Sequence, residues 1–315
     1  MYDPDHPVIT TEFLIATPEI KRVCEIALDR IFMRRTGVIF YGPSRLGKSR
    51  CFEVLNDSLS RYVPRAYVIR VVPVDREGQR CTQIIMQLAD SLGYGDVRKS
   101  RDTRYIVLKY LVNTIYLRIK ELGCNQCVCL LDEFQRLRSD DLYQLVDLYN
   151  LLEMRGVKLT VVSFAMPEVI PMRGMLINTE QRQITARLMS ELIEFKGCRD
   201  VTDIEAILNG YDVFTEYPKG SGISFTKAFL PEAFGGGFRL LTYAPHLWQA
   251  MNSYASGPYV NNLPMQHILE ALTNILRWHS KDDSRDLKLS EDDFYEAVRS
   301  GNFEEFCKVE VLPKK

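Results

Sequence analysis

The sequence contains no apolar run of the roughly 18 residues that a membrane-spanning helix requires, so no span is expected. Histidine is scarce, with His6, His246, His267 and His279 scattered along the chain. No set of several spaced carboxylates suggests a nuclease-type metal site, so any strand cutting would belong to another protein. Charge of one sign is not in excess either: 40 basic against 41 acidic residues leave a net −1. No global field attracts nucleic acid, and any such contact must come from a local patch. Internal repeats and low-complexity tracts are absent. The opening residues, Met1-Tyr2-Asp3-Pro4-Asp5-His6-Pro7, are polar and acidic, unlike a secretory signal, and imply a cytoplasmic setting. Eight cysteines in such a chain read as reduced thiols. Cys124, Cys127 and Cys129 have no histidine or fourth cysteine nearby, which argues against zinc.

What stands out is Gly42-Pro43-Ser44-Arg45-Leu46-Gly47-Lys48-Ser49. It fits the phosphate-binding pattern G-x-x-x-x-G-K-[ST] without departure and follows the apolar run Gly37-Val38-Ile39-Phe40. Glycine lets the backbone fold tightly enough for successive N–H groups to face anionic oxygens. Lys48 brings a compact positive charge to the β and γ phosphates, and the Ser49 hydroxyl suits Mg2+. A helix beginning there adds the positive end of its dipole. Downstream, the continuously apolar Cys127-Val128-Cys129-Leu130-Leu131 ends in Asp132-Glu133. Parallel sheets bind their ligands at the carboxyl ends of strands. Asp132 there can hold Mg2+, directly or through water, and Glu133 is placed to polarise an attacking water as general base. Together the two motifs imply an NTPase.

Apolar periodicity supplies the frame around them. Residues 1–17 read as an extended arm; Thr17-Pro18-Glu19 then opens a helix that buries Ile20, Val23, Cys24, Ile26, Ala27 and Ile31. Strands are expected at 37–41, 66–72, 127–131, 159–165 and 192–195. Helices are expected from the phosphate loop to about 59, over roughly 80–92, over 103–122, and onward from a Ser139-Asp140-Asp141 cap. Such alternation means a parallel sheet covered by helices on both faces. From about 200 the strand signal fades and helical patterns take over. The expected organisation is an α/β nucleotide-binding domain over 1–199 and a small helical lid domain with a tail over 200–315. Within the latter, 281–296 carries seven acids against three bases and reads as a helix face plus tail.

The order of these parts resembles the AAA+ ATPases, and within them the TnsC/TniB group of transposition regulators, over most of residues 15–260. Its most specific pieces are Leu130-Leu131-Asp132-Glu133-Phe134-Gln135-Arg136-Leu137, Glu180-Gln181 followed by Arg187-Leu188, and Gly237-Phe238-Arg239-Leu240. The resemblance implies an AAA+ P-loop NTPase fold with ATP and Mg2+ as cofactors. It implies Ser49 and Asp132 on the metal, and Gly42, Pro43, Ser44, Arg45, Leu46, Gly47, Lys48, Ser49, Arg50 and Asp132 around the nucleotide. Arg187, just before the last sheet strand, corresponds to the finger that reaches a neighbouring subunit's site, with Arg182 as the fallback. Arg239 corresponds to the lid arginine that touches the γ phosphate, and Glu133 and Lys48 complete the catalytic set. One position departs. Where the resembling family carries a small polar residue after the fourth strand, this chain has Ala165-Met166-Pro167-Glu168, and Ser163 is the nearest polar side chain.

Arg98-Lys99-Ser100-Arg101-Asp102-Thr103-Arg104 packs four basic residues into seven positions. Alone, this reads equally as a solvated charged loop. In the resembling family, segments between the second and third strands line a channel and follow a DNA backbone. That implies DNA contacts from Arg98, Lys99, Arg101, Thr103 and Arg104, and from Arg76 and Arg80 in the preceding segment. No aromatic platform interleaves with these charges, so duplex tracking without sequence specificity is expected over base stacking. The resemblance further implies self-association into a ring or helical oligomer, with a transposase and a target selector as partners. A protein-directed AAA+ remodeller or helicase/initiator loader is the alternative, and a regulatory nucleotide switch the third reading.

Overall fold

A computed structural model describes residues 3–74, 83–96 and 103–311. They divide into two compact units, one of Arg22–Gly42 and Lys48–Phe195, the other of Met1–Lys21, Pro43–Gly47 and Lys196–Lys315. The first unit is built on strands β1 Gly37–Tyr41, β2 Ala66–Val71, β3 Gln126–Leu131, β4 Lys158–Ala165 and β5 Leu192–Glu194. They form one parallel sheet in the order β2-β3-β4-β1-β5.

Every residue of β3 is buried, and Leu131 is aligned with Val71 on one side and Ser163 on the other. Helices cover such a strand on both faces, which is why its sequence shows no polar alternation. Ile85, Leu111 and Leu145, from three helices, share a core with Cys129 and Leu131. Gly37 opens β1 because a Cβ there would lie 2.6 Å from the Arg187 carbonyl oxygen.

Element ends follow their caps. The Thr17 hydroxyl accepts from the Ile20 N–H at 3.2 Å, and Thr103 accepts from the Ile106 N–H at 3.5 Å to start helix Arg104–Glu121. Helix Ser139–Glu153 begins one residue earlier than a Ser139 cap implies. Asp141, inside the first turn, accepts the N–H of the cap residue Arg138 at 3.2 Å and the Ile84 N–H at 2.9 Å, so it ties the helix start to its own cap residue and to a second helix. The helix expected over 80–92 is described over Ile84–Ser91, and Gly93 at φ +88° ends it.

The second unit is helical, with Val201–Asn209, Ala244–Tyr254, Met265–His279, Glu291–Ser300 and Phe303–Val311 as its longer helices. The N-terminal residues, expected as an extended arm of the first domain, pack here instead. They carry the short helix Pro7–Thr10, and His6 is buried among the rings of Tyr217, Phe225 and Phe229 at 4.8–4.9 Å. Burial in an aromatic cluster decides this, and local periodicity carries no trace of it. The chain enters the unit at Lys196, a few residues before the expected border. Three of the acids in 281–296 fill the first turn of helix Glu291–Ser300, where the helix dipole favours them. Buried Asp212 accepts from the Thr226 hydroxyl at 2.6 Å and from the N–H groups of Leu240 and Leu241 at 3.2 and 3.0 Å, fixing the turn after Arg239. No helix among the described residues is long and apolar enough to cross a membrane.

Candidate nucleotide site

The phosphate loop joins β1 to helix Lys48–Tyr62. Gly42 is anchored to β4, its N–H donating to the Ala165 carbonyl at 3.2 Å. The Gly42 carbonyl accepts from Lys48 Nζ at 2.8 Å, and the same ammonium lies 3.6 Å from Met166 Sδ. Lys48 is only 7% exposed, so its charge sits where solvent screens it little. Gly47 adopts φ +107°, a conformation that a side chain would strain, which accounts for the second glycine of the motif.

Asp132 follows β3 and is 6% exposed. It accepts the Ser49 hydroxyl and, at 2.9 Å, the Glu133 N–H. Burial pushes its carboxyl above the ordinary carboxylate range, in opposition to those hydrogen bonds and to the Lys48 charge. A desolvated carboxylate beside a hydroxyl suits a hard divalent cation. The two expected metal ligands are thus brought together. Glu133, at φ +53°, accepts from Gln135 Nε2 at 2.7 Å and pairs with Arg136 Nε at 3.2 Å through the same oxygen, Oε2. Ser163 is fully buried in β4, and its hydroxyl has no hydrogen-bond partner among the described residues. A buried ammonium, a hydroxyl–carboxylate pair and a second carboxylate one residue on fit a triphosphate with Mg2+.

Residues 43–47, the tip of the loop, pack in the helical unit. Ser44 Oγ lies 3.1 Å from the Tyr259 hydroxyl and donates to Glu310 at 3.4 Å. Burial pushes the Tyr259 phenol up to about 12, so it remains neutral. Arg45 takes φ +62°, uncommon for a residue with a side chain. Its carbonyl accepts the Gln266 N–H at 3.3 Å, and its guanidinium lies 4.6 Å from the Phe306 ring centroid. Leu46 is buried, and Arg50 pairs with Glu53 at 2.9 Å on the exposed start of helix Lys48–Tyr62.

The other expected residues are distributed more widely. Arg187, in helix Arg182–Leu188, lays its guanidinium 4.9 Å from the Tyr149 ring centroid, and its Nη1 is buried without a hydrogen-bond partner among the described residues. Arg239 donates to the carbonyls of Phe234 and Phe238 at 3.0 and 2.6 Å and stacks 3.6 Å from the Phe234 ring centroid. Arg76, Arg80, Arg98, Lys99 and Arg101 lie outside the described residues. Thr103 caps its helix, and exposed Arg104 pairs with Asp147 at 3.2 Å. Sequence reasoning misses Gln135, Met166, Tyr259 and Phe306. Gln135 had a signal, its place two residues after Glu133; Tyr259 and Phe306 meet the loop only through folding.

Residues 32–172 match the AAA domain family. No curated protein matches the sequence. Among solved structures, the Drosophila ORC bound to DNA is similar at a TM-score of 0.57 and 14% identity, over 93% of this chain and 73% of that one. The Drosophila ORC bound to AT-rich DNA and Cdc6 is similar at 0.50 and 13% identity over 93% of this chain; the chain spans 46% of that longer one. At such identities the likeness concerns the fold. With its parallel five-stranded sheet, phosphate loop and helical unit, the chain has the AAA+ P-loop NTPase fold.

Proposed function

We propose that this chain is a Mg2+-dependent ATPase that assembles on duplex DNA in its ATP state and connects a target selector to a transposase. The observation that carries the ATPase reading is the placing of buried Lys48 and Asp132 beside Ser49 and Glu133. Lys48 turns its ammonium from the Gly42 carbonyl toward the β and γ phosphates. Ser49 and Asp132 would hold a magnesium ion, which would supply positive charge to offset that on the phosphate oxygens. Glu133 takes a proton from the water that attacks the terminal phosphorus. Arg187 of a neighbouring copy stabilises charge on the transferring phosphoryl group, and Arg239 responds to the γ phosphate. ATP therefore favours the oligomer, and hydrolysis loosens it.

The DNA and transposition parts rest on the TnsC/TniB-like motifs and on the basic run at 98–104. A second reading, an initiator or helicase loader directed at other proteins, draws on the fold likeness to ORC, described as bound to DNA and Cdc6. Binding to a random-sequence duplex with ATP, a slowly hydrolysed analogue, ADP or no nucleotide separates the two, read by affinity and particle size. Large assemblies are expected only with ATP or the analogue. Neutralising Arg98, Lys99, Arg101 and Arg104 should weaken binding and flatten its salt dependence. DNA binding that ignores nucleotide, or none at all, overturns the first reading in favour of the second.

A further inference from the structure

The end of β3 is joined to the end of β4 by one side chain. The left-handed backbone at Glu133 turns the chain into the short helix Phe134–Arg136, which brings Gln135 back beside its own predecessor. The Gln135 amide then uses both of its ends. Its Nε2 donates to Glu133 Oε2 at 2.7 Å, and its Oε1 accepts the Met166 N–H at 2.9 Å. Met166 is the first residue after β4, and its sulfur lies 3.6 Å from the Lys48 ammonium. At this same loop the sequence has no small polar side chain, and the nearest hydroxyl, on Ser163, is sealed inside the sheet.

We propose that Gln135 is a positioning residue for Glu133, supplying from the β3 side the polar connection that this chain lacks after β4. The inference rests on the proposed hydrolysis of ATP. A carboxylate with one oxygen held by a fixed donor has its plane set, so Oε1 is presented to take the proton from water. Proton transfer depends on such alignment. Arg136 reaches the same Oε2, but its side chain is 52% exposed, and an exposed ion pair fixes geometry poorly. Gln135 is different because its far end is anchored to main chain. A side chain with both a donor and an acceptor is required, which an amide provides and a carboxylate or an ammonium does not.

Steady-state ATP hydrolysis with Mg2+ and duplex DNA tests this in the wild type, Gln135→Met, Glu133→Gln and the double variant. Methionine keeps the length and removes both hydrogen bonds. For Gln135→Met, kcat should fall about tenfold while the KM for ATP stays within about twofold. Added to Glu133→Gln, the same change should cost nothing further, because the base that Gln135 positions is gone. A kcat within about twofold of wild type, or an equal loss in the Glu133→Gln background, overturns the positioning role. No turnover in the wild type overturns the ATPase reading and this inference with it; wild-type turnover in Glu133→Gln overturns the role of Glu133 as base and this inference, and leaves the ATPase reading standing. Loss in Glu133→Gln with full activity in Gln135→Met overturns this inference alone.

Discussion

At the base of the phosphate loop, Gly42 and Lys48 are held by the sheet unit's own backbone and by each other. At its tip, Ser44 meets Tyr259 and Glu310, 215 and 266 positions away in the chain, and Arg45 lies against Phe306. The base consists of residue types that the chemistry of phosphate binding dictates. Ser44 and Arg45 at the tip stand at positions that the motif leaves open. Fixed positions therefore carry charge and backbone geometry, and open ones are where this chain adapts the loop to its own helical unit. If that division holds, changes at the base should act on binding itself, and changes at the tip only on how well the loop is prepared for it.

The largest effect is expected for Lys48→Ala. Alanine leaves no buried charge behind, and a charge-assisted contact is worth up to about 3 kcal/mol, so ATP should bind about 100-fold more weakly. Nucleotide titration checks this at unchanged melting temperature. A loss below about tenfold would move the binding energy away from the base of the loop.

Asp132→Asn sharpens the comparison from the other side, because here binding and stability should part. Burial raises the folded-state pKa of Asp132, so the charged form is disfavoured in the fold. The stability linked to its proton is present at low pH and is lost as pH rises through the folded pKa. At neutral pH the nucleotide-free wild type therefore bears a cost that asparagine removes. The variant should melt higher than wild type at pH 7, with the difference shrinking as pH falls toward the carboxylate range. It should also lose the extra stabilisation that MgATP gives the wild type. Thermal melts across pH, with and without MgATP, report both; a variant that melts lower at neutral pH would make Asp132 a structural residue.

This split follows what can be read in the chain. The phosphate loop, the Asp132-Glu133 pair and the five strands are legible because each is set by neighbours in sequence: glycine where φ is positive, apolar runs where a strand is covered on both faces. The Ser49–Asp132 contact follows from that topology, since the loop leaves β1 and the acids leave β3, both at the carboxyl edge of one sheet. His6 in its aromatic cluster, Tyr259 on Ser44 and Phe306 on Arg45 are set by tertiary packing alone, and no window of the sequence contains both partners. Arg138 and Asp141 lie between these cases: the cap was visible as a polar cluster, but which residue accepted the N–H depended on Ile84, 57 positions earlier. Gln135 stands inside the most informative motif and still gives no hint of Met166, because that bond depends on β3 and β4 being neighbours.

Phe306→Leu tests the tip with the smallest expected effect. Leucine keeps most of the apolar volume and removes the ring face on which the Arg45 guanidinium rests. Arg45 is exposed, so the stack is worth about 0.5–1 kcal/mol, and ATP affinity should fall about two- to fivefold. At saturating ATP, kcat should not change, since no reacting group has moved. Phe306 also packs on the His267 ring at 4.7 Å, so a lower melting temperature alone says nothing about the loop. The discriminating experiment is the double variant with Arg45→Ala. If Phe306 acts by steadying Arg45 in its left-handed conformation, leucine at 306 costs no further affinity once that guanidinium is gone. An equal loss in both backgrounds would mean that the ring supports the helical unit generally, and the tip of the loop would then be prepared by Tyr259 and Gln266 instead.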